Sequence, residues 1–284
     1  MRVRAFAKIN LSLRVLGKRQ DGYHDVRTIL QSIRLHDTLT IRRAPGELRI
    51  ECDDPAMACD RTNLVWRAAD ALWRCARRPG TVHGIAIHLQ KRIPIQAGLG
   101  GGSSDAAATL RALARTWGVD AHRVREAAVR LGADVPYFFE GGTVLGLERG
   151  DALFPLLDRP RAWVVIVVPA FRVSTPDAYR WWDADRARRT GRLAGGSHRA
   201  AIANDLQPSV TKRFPAISRI VRQLTRAGAS EAAMSGSGSA VFGLFQTHSA
   251  ATQAAATIGR ESPPPLALVT RTVSRAEYRR LAGN

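Results

Sequence analysis

Apolar and polar positions follow two periods along this chain, and the changes of period mark out its elements. Val3–Ala7 reads as a short strand. Leu11, Leu13 and Val15 then alternate with Ser12, Arg14 and Leu16, an imperfect period of two that keeps the backbone extended. A polar turn over Gly17–Gly22 precedes strands at Val26–Ile33, Thr38–Arg42 and Leu48–Cys52, the last two set around Pro45-Gly46. Leu64–Ala76 is apolar at helical spacing, with Thr62 or Asn63 placed to cap it. Strand Ile85–Gln90 runs into a glycine-rich stretch, and the alanine-rich run Ala106–Ala114 predicts the next helix. Ala121–Leu131 predicts another, stopped by Gly132, and a turn and short strand follow from Gly141 to Gly146.

Asp151–Arg161 holds two prolines and no clear period, which marks a boundary near residue 155 between parts 1–155 and 156–284. Beyond it, Trp163–Val168 is a strongly apolar strand, and Ser174–Tyr179 opens a helix with Pro176 in its first turn. Ala184–Ala200 is rich in arginine and glycine and reads as a mobile loop. An amphipathic helix over Pro215–Ala227, a strand Ala240–Phe245, a helix from Ser249, a strand Ala267–Thr272 and a last helical stretch complete the pattern.

Composition narrows the class. A chain of 284 residues can bury a sizeable core, and it lacks the apolar run of roughly 18 residues that a membrane span needs. The opening Met1-Arg2-Val3-Arg4 leads into a strand without a signal-peptide core. Cys52, Cys59 and Cys75 are odd in number and lack metal-ligand spacing, so a reduced, cytoplasmic protein is expected. The formal charge of +19 invites a nucleic-acid reading. Yet the basic residues are dispersed arginines, with lysine only at Lys8, Lys18, Lys91 and Lys212, and no nucleic-acid motif accompanies them. Long-range attraction of a polyphosphate substrate suits such a charge.

The chemistry gathers at Pro94–Asp105, read P-I-Q-A-G-L-G-G-G-S-S-D. Gly98, Gly100, Gly101 and Gly102 free the backbone to turn where any Cβ would clash. Ser103 or Ser104 can then cap the alanine-rich helix. A loop that empties into a helix N-terminus aims backbone N–H groups and the positive dipole end at one spot, which suits phosphate. The lysine of a Walker loop is absent after Gly102, and a dinucleotide fingerprint would need a further glycine at position 103. Elsewhere, Lys8 interrupts an apolar run where an ammonium needs a negative partner, although a solvated lysine is the common case. Asp134, in Gly132-Ala133-Asp134-Val135-Pro136, is either a turn aspartate or a base for a substrate hydroxyl. Tyr23 and His24 are either surface residues or a stacking face for a pyrimidine.

P-x-x-x-G-L-G-G-G-S-S-D-A-A resembles the ATP-phosphate motif of the GHMP small-molecule kinases. The block A-K-I-N-L-S-L…G-x-R-x-D-G-Y-H resembles the N-terminal signature of one branch, the diphosphocytidyl-methylerythritol kinases. Gly132–Pro136 is similar to the family's catalytic aspartate segment, and Met234–Ser239 to its third motif, which packs beside the phosphate loop. The resemblance spans essentially the whole chain, and it implies an α+β fold in two parts. Mixed and antiparallel sheets with helices would flank an active site in the cleft between the halves.

It further implies that Lys8 and Asp134 are the catalytic pair and that the acceptor carries a cytidine diphosphate moiety. ATP would lie against Ile95, Gln96, Ala97, Gly98, Leu99, Gly100, Gly101, Gly102, Ser103, Ser104 and Asp105. Asn10, Tyr23, His24 and Tyr179 would line the acceptor site, with Tyr179 where relatives carry phenylalanine. Ser103 or Ser104 is a candidate magnesium contact. Asn63 lies in a segment that the family places near adenine, and Asn204-Asp205-Leu206 resembles a motif of structural role. A GHMP kinase for mevalonate, homoserine or a sugar is the nearest rival, and an RNA-binding protein the rival of another class. A monomer or homodimer, with no nucleic-acid or membrane partner, is expected.

Overall fold

A computed structural model of the chain describes residues 1–187, 203–260 and 263–283. It opens with a long hairpin, β1 (Arg2–Lys18) and β2 (His24–Glu47), followed by β3 (Arg49–Cys52), α1 (Leu64–Cys75) and β4 (His83–Gln90). Next come α2 (Gly101–Trp117), α3 (Ala121–Leu131), a single turn α4 (Tyr137–Glu140), β5 (Thr143–Leu147) and β6 (Ala152–Pro155). Then follow β7 (Trp163–Val168), α5 (Thr175–Ala187), α6 (Gln207–Arg213), α7 (Ala216–Arg226), β8 (Glu231–Met234) and β9 (Val241–Phe245). The chain finishes with α8 (His248–Ile258), β10 (Leu266–Arg271) and α9 (Arg275–Ala282).

Strands β1–β6 form one sheet and β10-β7-β9-β8 the other, so the change of sheet falls between Pro155 and Trp163. β2 pairs with β1 along one side, and β5 and β4 share its other side end to end. All these pairings are antiparallel, and β3 adds a parallel edge to β4. The sequence pattern separates four strands where the structure has two. Register shifts between Phe6 and Lys8 and between Asn10 and Ser12 let β1 run on through its break in period. β2 likewise passes from Val26 to Glu47, with an irregularity at Pro45-Gly46.

The second sheet is buried on both faces. Val165, Val167, Val241 and Phe245 pack with Ile217, Ile220 and Leu224 of α7 and Ala251 and Ile258 of α8. Their neighbours Val164, Ile166, Phe242 and Leu244 pack instead with Ala7, Ile9 and Leu11 of β1 and with Ala97 and Leu99 of the glycine-rich loop. This two-sided burial is why β7 reads as an unbroken apolar run. It also welds the second sheet to β1 and to the loop. Helices α1, α2 and α3 pack with one another and with the first sheet.

The last helix returns to the first half. Tyr278 is fully buried beside Phe6, ring centroids 5.5 Å apart, and its hydroxyl donates to Phe138 O at 2.6 Å. Burying a side chain the size of Phe6 contributes about 1.5–3 kcal/mol. Of the arginine- and glycine-rich stretch Ala184–Ala200, residues 184–187 complete α5, and the rest lies outside the described residues.

Candidate active site

β1 from Lys8 to Leu13 is the seam on which the site is built. One side bonds to β2, and the other receives three separate pieces of chain. Lys8 N–H donates to Leu99 O of the glycine-rich loop at 3.0 Å, and Asn10 N–H donates to Ser235 Oγ at 3.2 Å. Leu13 exchanges backbone bonds with Ala203 O and Asp205 N–H, at 2.9 Å each. The register shifts bracket Lys8 and Asn10, and such bulges re-aim side chains.

The loop itself is held by its glycines. Gly98 and Gly100 have φ of 77° and 73°, the left-handed region that glycine tolerates. A Cβ on Gly98 would lie 2.2 Å from Ser235 O, and one on Gly100 would lie 2.8 Å from Phe138 and 3.1 Å from Lys8 Cε. Ala97 and Leu99 turn their side chains into the core between the sheets, so they can offer a nucleotide only backbone. α2 then begins at Gly101 behind an N-cap Gly100 that supplies no side-chain cap. The expectation that Ser103 or Ser104 caps the helix is therefore wrong: both lie within its first turn. That leaves the first N–H groups of the helix without a side-chain cap, an arrangement suited to an anion.

Lys8 is 3% exposed and runs beneath both glycine loops. Its ammonium donates to Asn10 Oδ1 at 2.7 Å and lies 3.3 Å from Asp134 Oδ2. Gly236 of the second loop approaches so closely that a Cβ there would be 3.4 Å from Lys8 Nζ. Asp134, by contrast, is not in closed apolar surroundings; its side chain is 40% exposed in the turn before α4. Asn10 also donates Nδ2 to Thr28 Oγ1 at 2.8 Å, which fixes its amide so that it orients Lys8. Asn204 Nδ2 donates to Met234 O and Gly236 O, which ties down the second loop.

Two expected nucleotide or metal contacts, Ser104 and Asp105, are turned away from the loop mouth. Ser104 is fully buried and donates its hydroxyl to Phe6 O at 2.7 Å, facing β1. Asp105 is fully buried beside Lys91 at 2.7 Å. Lys91, just ahead of the loop, is itself buried and also bonds Asp37. Asp37 Oδ1 accepts the N–H groups of Arg92 and Ile93 at 2.5 and 2.8 Å, which fixes the chain entering the loop. Burial pushes the Asp105 carboxyl up to about 8, against the opposing pull of Lys91 and with reinforcement from Asp37. Burial would lower the Lys91 ammonium, but Asp105 and Asp37 together hold it above its ordinary value.

Ser103 remains half-buried at the loop mouth. Ile95 lines a depression of about 260 Å³ with Phe171, Arg172 and Ser239. Asn63 caps α1 by accepting Val65 N–H at 2.8 Å, and its amide donates to Ala58 O at 2.6 Å.

The three expected base-stacking rings do not stand open as a slot. His24 and Tyr179 stack on each other with centroids 4.6 Å apart, and Trp182 meets His24 edge-on at 5.8 Å. Tyr23 stands exposed with the Arg149 guanidinium over its ring at 5.2 Å. Burial, aided by the nearby charge of Asp134, pushes the Tyr179 phenol well up, so it stays neutral. Sequence reading missed Asp37, Thr28, Arg149 and Asp183; the last accepts or shares a hydrogen bond with His24 Nε2 at 2.9 Å. Among the described residues no cluster of three or more His, Cys, Asp or Glu could hold a metal. No helix among them is long and apolar enough to cross a membrane.

Known proteins resemble this chain in sequence and in fold. Residues 63–142 match the model of the GHMP kinases N terminal domain, and residues 183–263 that of the GHMP kinases C terminal domain. A 4-diphosphocytidyl-2-C-methyl-D-erythritol kinase of Solibacter usitatus (strain Ellin6076) is 42% identical, covering 98% of this chain and 92% of its own. One of Moorella thermoacetica (strain ATCC 39073 / JCM 9320) is 39% identical over 95% and 98%. The crystal structure of a 4-(cytidine 5'-diphospho)-2C-methyl-D-erythritol kinase is 32% identical and superposes with a TM-score of 0.77, covering 96% of this chain and 99% of that one. An L. major mevalonate kinase, 14% identical with a TM-score of 0.70 over 96% of each chain, shares the fold. With both family models in chain order, and relatives near 40% identity along almost the full length, the chain belongs to the GHMP kinases and, within them, to the 4-diphosphocytidyl-2-C-methyl-D-erythritol kinases.

Proposed function

We propose that the protein transfers the γ-phosphoryl group of ATP to the 2-hydroxyl of 4-diphosphocytidyl-2-C-methyl-D-erythritol, in the non-mevalonate isoprenoid pathway. The observation that carries this reading is the Lys8–Asp134 pair, 3.3 Å apart beneath a glycine loop and an uncapped helix N-terminus. Asp134 accepts the proton of the acceptor hydroxyl as its oxygen bonds to the γ-phosphorus and the bond to ADP breaks. Lys8, held by Asn10, stabilises the negative charge on the transferring oxygens and orients Asp134. The backbone of Gly98–Ser103 cradles the ATP phosphates.

Magnesium fits this site through Ser103 but not Ser104, whose hydroxyl is spent on Phe6 O. Mg²⁺ typically takes few protein ligands and completes its shell with phosphate oxygens and water. When bound it would neutralise charge on the β- and γ-phosphates. Tyr23, His24 and Tyr179 would receive the cytosine, either by opening the His24–Tyr179 stack or on an outer face of it. The +19 charge serves anionic substrates and not nucleic acid, and the protein works in the cytoplasm as a monomer or homodimer. ADP release measured with the cytidyl acceptor, the free methylerythritol phosphate, mevalonate and homoserine tests the reading. Turnover of mevalonate or homoserine, but not of the cytidyl acceptor, overturns it.

A further inference from the structure

The depression of about 260 Å³ beside the phosphate loop has no part in the phosphoryl transfer proposed above. Its walls come from separate stretches of chain. Pro94 and Ile95 enter the loop, Phe171 and Arg172 follow β7, Leu266 opens β10, and Ser239 ends the second glycine loop. These walls are braced from behind. Phe171 stacks on Phe214 with ring centroids 4.3 Å apart and planes 9° from parallel. On either side of Ser239 the backbone is pinned: Gly238 N–H donates to Ser235 O at 2.9 Å and Ala240 N–H to Ala97 O at 3.1 Å. A concavity held in this way can receive a ligand without rebuilding.

Two polar groups of the lining stand without partners. Ser239 is only 1% exposed, yet no hydrogen bond holds its hydroxyl among the described residues. Its oxygen is not wholly enclosed, and the surface it keeps opens into the depression. A hydroxyl so nearly buried costs free energy until something bonds it. Arg172 is exposed and has neither an ion pair nor a hydrogen bond among the described residues. Among the described residues that line the depression it alone is ionisable, so no carboxylate there offsets its charge. The rest of the lining is apolar, and Leu266 is 50% exposed.

We propose that this depression binds a small organic oxyanion with an apolar body, at a site separate from the ATP cradle. The guanidinium of Arg172 and the hydroxyl of Ser239 donate to the anionic head, which a phosphoryl or a carboxylate group supplies equally. The hydrocarbon body covers Ile95, Phe171 and Leu266. A neutral apolar molecule would leave both donors unpaired, and a wholly hydrophilic anion would leave the apolar walls wet. Only the combination satisfies the whole lining. The separateness of the site rests on the proposed placement of ATP on Gly98–Ser103, whereas the recognition of the anion does not.

Hexyl phosphate and hexanoate are the probes and hexanol the neutral control, with binding read by ligand-observed NMR and calorimetry on the full chain. At least one anion should bind saturably, and hexanol about tenfold more weakly or worse, the worth of hydrogen bonds to a charged group. The tighter of the two anions names the head group. Arg172→Ala, a surface change, should weaken the anion about tenfold and leave hexanol where it was; Ser239→Ala should weaken the anion about two- to tenfold. Anion binding should persist when ADP saturates the nucleotide site. Hexanol binding as tightly as the anions overturns the proposal, as does anion binding untouched by Arg172→Ala, or no binding of either anion. If Ser239→Ala fails to fold, Arg172→Ala decides. Simple competition between the anion and ADP would make the depression part of the nucleotide site, overturning the separate site and leaving the kinase reading intact. Should ADP itself not bind, the kinase reading falls, and the site is decided by the anions and Arg172→Ala alone.

Discussion

Lys8 and Asp134 meet at 3.3 Å although one comes from the middle of β1 and the other from the turn before α4. Lys8 is buried and braced by Asn10, whereas Asp134 is open to the cleft. A buried, fixed cation beside an accessible carboxylate suits a base that must meet a hydroxyl arriving from solvent.

Asp134→Asn should therefore lower kcat by about two to four powers of ten, the usual contribution of a general base. ATP binding should stay near normal, because the phosphate loop is untouched. Steady-state kinetics paired with calorimetric ATP titration reads both quantities. Wild-type kcat in this variant would remove Asp134 from the mechanism.

The two glycine loops are interlocked, and one substitution should show it. Gly98→Ala places a Cβ 2.2 Å from Ser235 O at a φ of 77°, so the loops must part. The backbone strain alone costs about 1–3 kcal/mol. Lower thermal stability and weaker ATP binding should appear together. Gly102 gives the contrast, since a Cβ there meets only Leu64 Cδ1 at 3.5 Å within α2. Gly102→Ala should raise stability by up to about 1 kcal/mol through helix propensity. Equal melting temperatures for the two variants would mean that the loops do not constrain each other.

Much of this was legible in the residues because the relevant signals are local. The glycine run, the apolar β7 and the Gly132 stop each announce themselves within a few positions. Lys91 shows where local reading stops. It looks like its exposed neighbour Arg92, and only folding brings Asp37 and Asp105 onto its ammonium and removes all three from water. Ser103 and Ser104 have the residue type of a cap, but Gly100 turns the backbone three residues before Ser103 and carries both into the helix. Strand ends failed for a related reason. Bulges at Lys8 and Asn10 break the period of two without ending the strand.

The buried cluster also predicts a pH effect on stability. Asp105 is raised to about 8, chiefly by burial, from an unfolded value near 3.8. Between those values the unfolded chain has lost this proton while the folded chain keeps it. The contribution of Asp105 to stability is therefore full below about pH 4 and falls as pH rises towards 8, with a slope of at most about 1.4 kcal/mol per pH unit. Asp105→Asn should flatten that stretch of the profile and, above pH 8, match or exceed wild-type stability. Denaturant melts at closely spaced pH values measure the slopes. Parallel profiles for the two proteins would show that Asp105 ionises in the folded state much as it does unfolded.

Tyr179 lies between the proposed acceptor site and the proposed base, since its ring stacks on His24 at 4.6 Å and the charge of Asp134 helps raise its phenol. The distance between the two rings leaves no room for a base, so the cytosine must either open the stack or settle on an outer face. In both cases the ring supplies the stacking surface, worth about 1–3 kcal/mol per base. Tyr179→Ala should raise KM for the cytidyl acceptor by about one to two powers of ten, with ATP binding little changed. Part of the loss can surface in kcat, because remote binding also positions the reacting hydroxyl over Asp134. Tyr179→Phe should be nearly silent, as no hydrogen-bond partner for the phenol is found among the described residues. The comparison is kcat/KM at saturating ATP for the three proteins. Equal values throughout would sink the stacking role. A large loss in Tyr179→Phe would point instead to a hydrogen bond from the phenol to the bound substrate, and the ring would then matter for its hydroxyl and not for its face.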